Sequence, residues 1–229
     1  FAGAARFALH SLRRADGLIV PSGFLRQVFA GFGCEAQVIP NIIDLTRFQP
    51  RQAEHGRPDP HVIVTRNLEP LYDIPTALRA FAAVHQQLPQ ARLTVAGSGP
   101  ELANLQQLAS GLGIAAAVEF CGRIDNDRMN ALYASADLML NPSTVDNMPI
   151  SILEAFASGV PVVSTDVGGV PFVAEHQRTA LLVPAGDAQA MAAAMLQILQ
   201  NADFARQLAD AGLAEVQAYA WPVVREQWL

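Results

Sequence analysis

In the stretch STVDNMPISILEAFASGVPVV (residues 143–163) two acids, Asp146 and Glu154, stand with seven residues between them. Glu154 is the one charge on an otherwise apolar helical pattern, hemmed in by Ile152, Leu153, Ala155 and Phe156. Pro149 suits the first helical position, where its missing N–H costs nothing, and Gly159 suits the stop. Ser151, Glu154 and Ser158 are spaced three and four apart and so share one stripe. The helix is therefore expected to be buried on most sides and open along that line, toward water or a ligand. A carboxylate set among apolar residues needs a hydrogen-bonding partner. A ribose diol supplies one, because two adjacent hydroxyls can donate to the two carboxylate oxygens. Asp146 and Asn147 are also good helix caps, so capping is the plain alternative for them.

A repeated unit positions these residues: a short β-rich run, a loop with Gly, Pro or Ser, then a helical pattern. Candidate strands are 17–21, 36–40, 61–65, 92–96, 118–121, 137–141 and 160–165, with a short one at 180–183. The runs are continuously apolar rather than alternating, as in parallel strands covered on both faces. Helical patterns fall at 22–31, 74–88, 100–111, 126–134, 149–158, 187–200 and 203–217. This alternation implies right-handed crossovers and an α/β fold with a doubly wound parallel sheet. Residues 45–60 include TRFQPRQAEHGRPDP (46–60), with three prolines, one glycine and no periodicity, and read as a linker. Residues 1–44 hold two strands, too few for a core of their own, and read as a fragment of a preceding α/β domain. Residues 61–218 make a complete unit, and 219–229 begin a closing helix.

In open α/β sheets ligands sit at the carboxyl ends of the strands. The loops there carry Arg66 and Asn67, then Gly97 and Gly99, then Gly122 and Arg123. After them come Pro142, Ser143 and the Asp146–Pro149 turn, and finally Asp166, Gly168 and Gly169. Glycines let a ligand approach the backbone, and helix N-termini favour anions, so this edge suits a phosphate-bearing ligand. Each residue also has a plain reading: Arg66 and Arg123 as surface charges, Gly168–Gly169 as a tight turn. Gly97-Ser98-Gly99 is weak as a dinucleotide fingerprint, because Leu102 stands where the third glycine belongs. The five histidines form neither a triad nor a metal spacing, and Ser98 lies in no nucleophile elbow.

The composition is that of a packed protein: 229 residues, 51% hydrophobic and 16% charged. A net charge of −6 argues against nucleic acid as a partner. Cys34 and Cys121 have no ligand spacing and read as buried or incidental thiols in a reducing compartment. No apolar run reaches the roughly 20 residues of a membrane span. The amphipathic start, FAGAARFALHSLRRA (1–15), lacks the pattern of a signal peptide. With Phe1 where an initiator Met would stand, the chain is expected to begin inside a longer protein.

Residues 143–171, with their two spaced acids, helix, strand and Gly-Gly loop, resemble the signature of family-4 retaining glycosyltransferases of the GT-B fold. VAGSGPE (95–101) resembles that family's Gly-x-Gly-Pro-Glu loop, LVPAGD (182–187) its late Gly-Asp turn, and VIPNIIDLTRF (38–48) its hinge. The resemblance runs over nearly the whole chain. It implies a Rossmann-like C-terminal domain that binds a nucleotide diphosphate-sugar, UDP- or GDP-linked, with no further cofactor and no metal. Glu154 would bind the ribose and Asp146 the donor sugar or transition state. The backbone of Asn147, Met148, Pro149 and Ile150 would sit near the sugar and phosphates. Arg66, Asn67, Gly97, Gly99 and Arg123 would complete the donor site.

There are departures from the family. The first acid is usually Glu, and Asp146 is one methylene shorter. Asn67 and Tyr72 stand where the family carries an Arg and a Lys that clamp the diphosphate, so Arg66 or Arg123 is expected to substitute. Phe172 replaces an acid. The acceptor, a glycan or lipid-linked molecule, would bind mostly to a domain not contained in this chain. A cytoplasmic location is implied, with peripheral attachment to the inner membrane through that domain, and work on bacterial polysaccharide. A binding module without catalysis and a nucleotide-sugar epimerase are the other classes open to this pattern. A phosphorylase would need a lysine, and the chain has none.

Overall fold

The computed structural model describes residues 9–12, 14–50 and 56–228. Its elements are β1 (Ile19–Val20), α1 (Gly23–Gly31), β2 (Gln37–Val38), β3 (His61–Thr65), α2 (Ile74–Gln87), β4 (Arg92–Ala96), α3 (Leu102–Gly111) and β5 (Val118–Gly122). They continue with α4 (Asn126–Ser135), β6 (Leu138–Asn141), α5 (Ile150–Ala157), β7 (Val162–Thr165), β8 (Leu181–Val183), α6 (Ala188–Leu199), α7 (Ala202–Glu215) and α8 (Trp221–Val224). Every strand and helix expected from the sequence forms, within one to two residues at most ends.

Two parallel sheets result, β1-β2 and the six-stranded β5-β4-β3-β6-β7-β8. The expected doubly wound α/β architecture is thus present. The chain lays β4 and β5 on one side of β3, then returns to lay β6, β7 and β8 on the other. The strand order therefore reverses between β3 and β6, which opens a crevice at their carboxyl ends. Val62, Ile63, Val64, Leu138, Met139 and Leu140 are fully buried, as strands covered on both faces must be. The edge strand β5 differs, since none of its residues is buried.

Two apolar clusters cover the faces. One lies under α2, α6 and α7, with Phe81, Leu78, Met195 and Leu208. The other gathers Ile152, Leu153, Phe156, Tyr133, Ile63 and Phe48 around α5. Each fully buried large apolar side chain contributes about 1.5–3 kcal/mol. Pro149 has φ −69° and ψ 107°, so it caps α5 from outside and is not its first helical residue. Gly159, at φ +65°, ends the helix as expected, with Val160 N–H reaching the Ala155 carbonyl at 2.9 Å.

The described part of the supposed linker contains no helix or strand, but it does not stand free. Phe48 is buried and meets the Tyr133 ring edge-on, with centroids 5.8 Å apart. Just before the linker, Ile43 is buried and pairs with Ala220. A composition rich in proline and charge concealed the Phe48 anchor. Residues 51–55 lie outside the described part of the linker, and of the amphipathic start, residues 9–12 are helical.

Candidate functional site

The crevice between β3 and β6 is built by a buried polar network. Arg66 is the first residue after β3, and Asn141 is the last of β6. The Arg66 Nε donates to Asn141 Oδ1 at 2.8 Å. Asn141 has no exposed surface, and its amide nitrogen donates to Ser164 Oγ on β7 at 2.9 Å. Thr165 Oγ1 donates to the Ser143 carbonyl at 2.5 Å. Such a network is costly unless every member is satisfied; satisfied, it orients the Arg66 cation at its rim.

That cation holds Asp146. The Arg66 Nη2 donates to Asp146 Oδ2, with the two side chains 13% and 10% exposed. Arg66 also lies over the Tyr72 ring, 5.1 Å from its centroid. Burial raises the Asp146 carboxyl above its usual range, while Arg66, the Asn147 N–H and the Ser143 hydroxyl pull it back.

Glu154 is held differently. Tyr133, from α4, has no exposed surface, and its hydroxyl lies 2.9 Å from Glu154 Oε2, 3.1 Å from the Ser151 carbonyl and 2.8 Å from Thr65 Oγ1. The phenol has one proton. With Thr65 donating to it, that proton is shared between the carboxylate and the carbonyl. Burial pushes the Glu154 carboxyl up, against the Tyr133 hydrogen bond and the nearby charges of Arg47 and Arg66. Tyr133 stays a phenol, its own acidity suppressed by burial and by Glu154.

The stripe on α5 is a correction to the sequence reading. Ser151 and Ser158 are buried, and only Glu154 of the three is partly accessible. Neighbouring elements cover the ends of the line, which helical periodicity does not report.

The glycines also have a packing role that the sequence reading did not give them. A Cβ on Gly97 would overlap the Arg66 carbonyl, and one on Gly99 the Leu68 carbonyl. A Cβ on Gly168 would overlap the Asp146 carbonyl, and one on Gly169 that of Asn147. These residues are small so that loops can pack backbone to backbone. They hold the Arg66 and Asp146 segments in place, whatever a ligand asks of them.

The candidate residues divide between two clefts. Arg66, Asn67, Gly97 and Arg123 line one of about 460 Å³, together with Thr65, Ser98 and Met129. Asp146, Asn147 and Met148 line another of about 370 Å³, with Tyr72 and Asn41. Arg66 touches both, lining the first and bonding Asp146 in the second. Glu154 is not among the residues lining either; the Tyr133–Thr65 bond joins it to the first. Gly99, Pro149 and Ile150 stand outside both linings: Gly99 packs on Leu68, Pro149 caps α5, and Ile150 is 43% exposed. Arg123 is exposed at the end of β5 and makes no bond to Asp146. Tyr133, Asn141, Thr65 and Ser164 went unread in the sequence. A polar residue at the last position of an apolar strand, as Asn141 is, was the available signal.

Residues 59–201 match the family model described as Glycosyl transferases group 1. The chain belongs to this family. Among curated relatives, it is 30% identical over 221 residues to a GDP-mannose-dependent α-(1-6)-phosphatidylinositol monomannoside mannosyltransferase of Mycobacterium tuberculosis, covering 89% of this chain and 57% of that protein. It is 32% identical to an exopolysaccharide phosphotransferase of Streptomyces coelicolor, over 83% of this chain and 20% of that one. The chain thus spans well under two thirds of the length of these relatives. Sucrose-phosphate synthase from Thermosynechococcus elongatus superposes with a TM-score of 0.87 at 28% identity, over 96% of this chain and 58% of that one. The Anabaena protein HepE, solved with UDP, gives 0.87 at 23% identity over 97% and 65%, a likeness of fold. The group 1 chain is therefore a GT-B-type α/β unit, as its motifs imply. Among the described residues no helix is long and apolar enough to cross a membrane.

Proposed function

We propose that this chain is the donor-binding part of a glycosyltransferase that moves a sugar from a nucleotide diphosphate-sugar to a glycan or lipid-linked acceptor with retention of configuration. One observation carries the reading. At the carboxyl edge of the sheet, where β3 and β6 diverge, one arginine spans two clefts and pairs with one of the two spaced acids, while Tyr133 presents the other. In this reading the nucleotide occupies the larger cleft and Glu154 accepts from its ribose hydroxyls. Asp146 faces the sugar in the second cleft.

Arg66 has five N–H donors. Asn141 and Asp146 engage two of its nitrogens, Nε and Nη2, leaving donors on Nη1 for a diphosphate lying between the clefts. Such a cation stabilises the leaving group as its bond to the sugar breaks, and losing it costs about 3 kcal/mol of transition-state stabilisation. Arg123, which also lines the larger cleft, is the second candidate for the same anion. Relatives and fold neighbours divide over the base: the mycobacterial relative is GDP-mannose-dependent, and HepE is solved with UDP.

Calorimetric titration of the purified chain with UDP, GDP and ADP tests the reading. One nucleotide binds, Glu154→Gln weakens it at least tenfold, and Arg66→Ala weakens the diphosphate more than the nucleoside. Absence of binding to all three, with the chain folded, refutes it. A second reading, binding without transfer, is favoured by the engagement of Arg66 with Asp146 and by the absence of any lysine. It predicts a full-length protein that binds the nucleotide sugar and releases it unchanged in the presence of acceptor.

A further inference from the structure

Tyr72 ends the single 3-10 turn Pro70–Tyr72 that follows β3. Two bonds close that turn, from the Tyr72 N–H to the Glu69 carbonyl at 3.0 Å and from the Asp73 N–H to the Pro70 carbonyl at 3.2 Å. Asp73 then takes a left-handed backbone, φ 41° and ψ 45°, and α2 begins at the next residue. Few side chains adopt that conformation readily, and aspartate is one of them. The Thr76 hydroxyl steadies it by donating to Asp73 Oδ2 at 2.7 Å. The turn is also tied to the loop that carries Asp146. The Leu71 carbonyl accepts from both the N–H and the hydroxyl of Thr144, at 2.8 and 3.0 Å. The Tyr72 ring is half-buried, packed on the first apolar cluster, and so is fixed beside Arg66, whose Cζ lies 5.1 Å from the ring centroid. Tyr72 and Asp146 line the same cleft.

We propose that Tyr72 is a positioning residue for Arg66, its ring fixing the plane of the guanidinium so that the remaining edge donors face a diphosphate. The inference rests on the donor-site reading for the identity of that anion. The edge and the face of the guanidinium do different work. Its edge is spent on Asn141 through Nε and on Asp146 through Nη2. The ring takes the face. An aromatic face attracts the cation without using an N–H and without cancelling its charge, whereas a second carboxylate there would do both. Asp146 faces the sugar in the donor-site reading. A sugar that draws it away leaves the Asn141 bond and the Tyr72 ring to keep Arg66 between the clefts.

The test has two readouts on four proteins: the wild type, Tyr72→Phe, Tyr72→Leu, and the phenylalanine variant with five fluorines on the ring. Phenylalanine keeps the attractive ring face. The fluorinated ring keeps nearly the same shape but reverses the charge distribution of that face, so it separates attraction from packing. Nitrogen-15 NMR of the Arg66 guanidinium, assigned with Arg66→Lys, follows its rotation with no ligand present. Rotation should be equally slow in the wild type and Tyr72→Phe, and about fivefold faster with leucine or the fluorinated ring. Equal rotation in the two phenylalanine forms overturns the proposal, because a tyrosine that merely fills space would give that result. Should Tyr72→Leu not fold, the fluorinated ring carries the comparison alone.

The second readout is calorimetric binding of UDP and GDP, each against its nucleoside. The leucine and fluorinated variants should lose about fivefold of the preference for diphosphate over nucleoside, and Tyr72→Phe should retain it. In an Arg66→Ala background Tyr72→Leu should change that preference no further, since the ring acts through the arginine. A fivefold loss that persists there overturns the proposal and leaves the donor reading standing. A wild type that binds neither UDP nor GDP overturns the donor reading, and the rotation of Arg66 still decides whether Tyr72 holds it.

Discussion

Replacing Tyr133 by Phe removes one oxygen and leaves the ring, its burial and its edge contact with Phe48 in place. Three partners lose that oxygen: Thr65 Oγ1 at 2.8 Å, Glu154 Oε2 at 2.9 Å and the Ser151 carbonyl at 3.1 Å. Thr65 is only partly buried and can turn to water, so its loss is small. The carbonyl loses one shared contact, worth about 0.5 kcal/mol. Glu154 loses a charge-assisted bond in a partly desolvated place, worth about 1.5–3 kcal/mol. At pH 8 the expected destabilisation is therefore about 2–3 kcal/mol. The Tyr133 bond favours the ionised carboxylate, so the variant raises the Glu154 pKa further above its ordinary value. Below that pKa the carboxyl is neutral in both proteins and the bond matters less. The penalty should thus shrink to about 1 kcal/mol at pH 4.5. Urea unfolding of both proteins at the two pH values measures this. A loss under about 0.5 kcal/mol at pH 8, or a loss that does not depend on pH, refutes the account of Tyr133 as the holder of Glu154.

Three further outcomes are expected. Because burial raises the Glu154 carboxyl, ionising it opposes folding, and its stabilising contribution is lost as pH rises from the ordinary value of 4.5 through the folded one. Glu154→Gln should therefore raise the urea midpoint at pH 8 while weakening nucleotide binding; a lowered midpoint contradicts the desolvation argument. His61 behaves in the opposite sense. Buried against Ser135 and Thr94, its pKa is lowered from 6.5 to about 4, so the folded protein binds fewer protons in that window and loses up to about 3 kcal/mol as pH falls through it. His61→Gln should flatten the pH dependence between those limits, and an unchanged slope would assign it to other groups. Gly169→Ala places a Cβ against the Asn147 carbonyl, and relief has to come from backbone. It should cost about 1–3 kcal/mol in urea and at least tenfold in nucleotide affinity; an affinity equal to the wild type's would show that the Asp146 turn need not sit where it does.

Much of this was open to reading in the residues themselves. Strands such as His61–Thr65 and Arg92–Ala96 are marked by apolar runs bounded by Gly, Pro and Ser, and hydrophobic burial on both faces permits few other outcomes for them. Glu154 stood out because a lone charge on an apolar helix demands a partner. The partner itself was not legible. Tyr133 lies on another helix, twenty-one positions away, and reads in the chain as one more apolar residue of that pattern. The α5 stripe failed for the same kind of reason, since periodicity reports which residues share a face and not what covers it.

The local order of elements and the spacing of the two acids were settled by the sequence alone, because backbone sterics, propensity and hydrophobic period act over a few residues. The tertiary structure decided which cation meets which acid. Arg66 and Asp146 are eighty positions apart, and they pair because the reversal of strand order sets the ends of β3 and β6 side by side. The same placement turned Phe48, inconspicuous in a proline-rich stretch, into a neighbour of Tyr133. Contacts of that range depend on how strands are ordered across the sheet, and no local pattern of residue types records it.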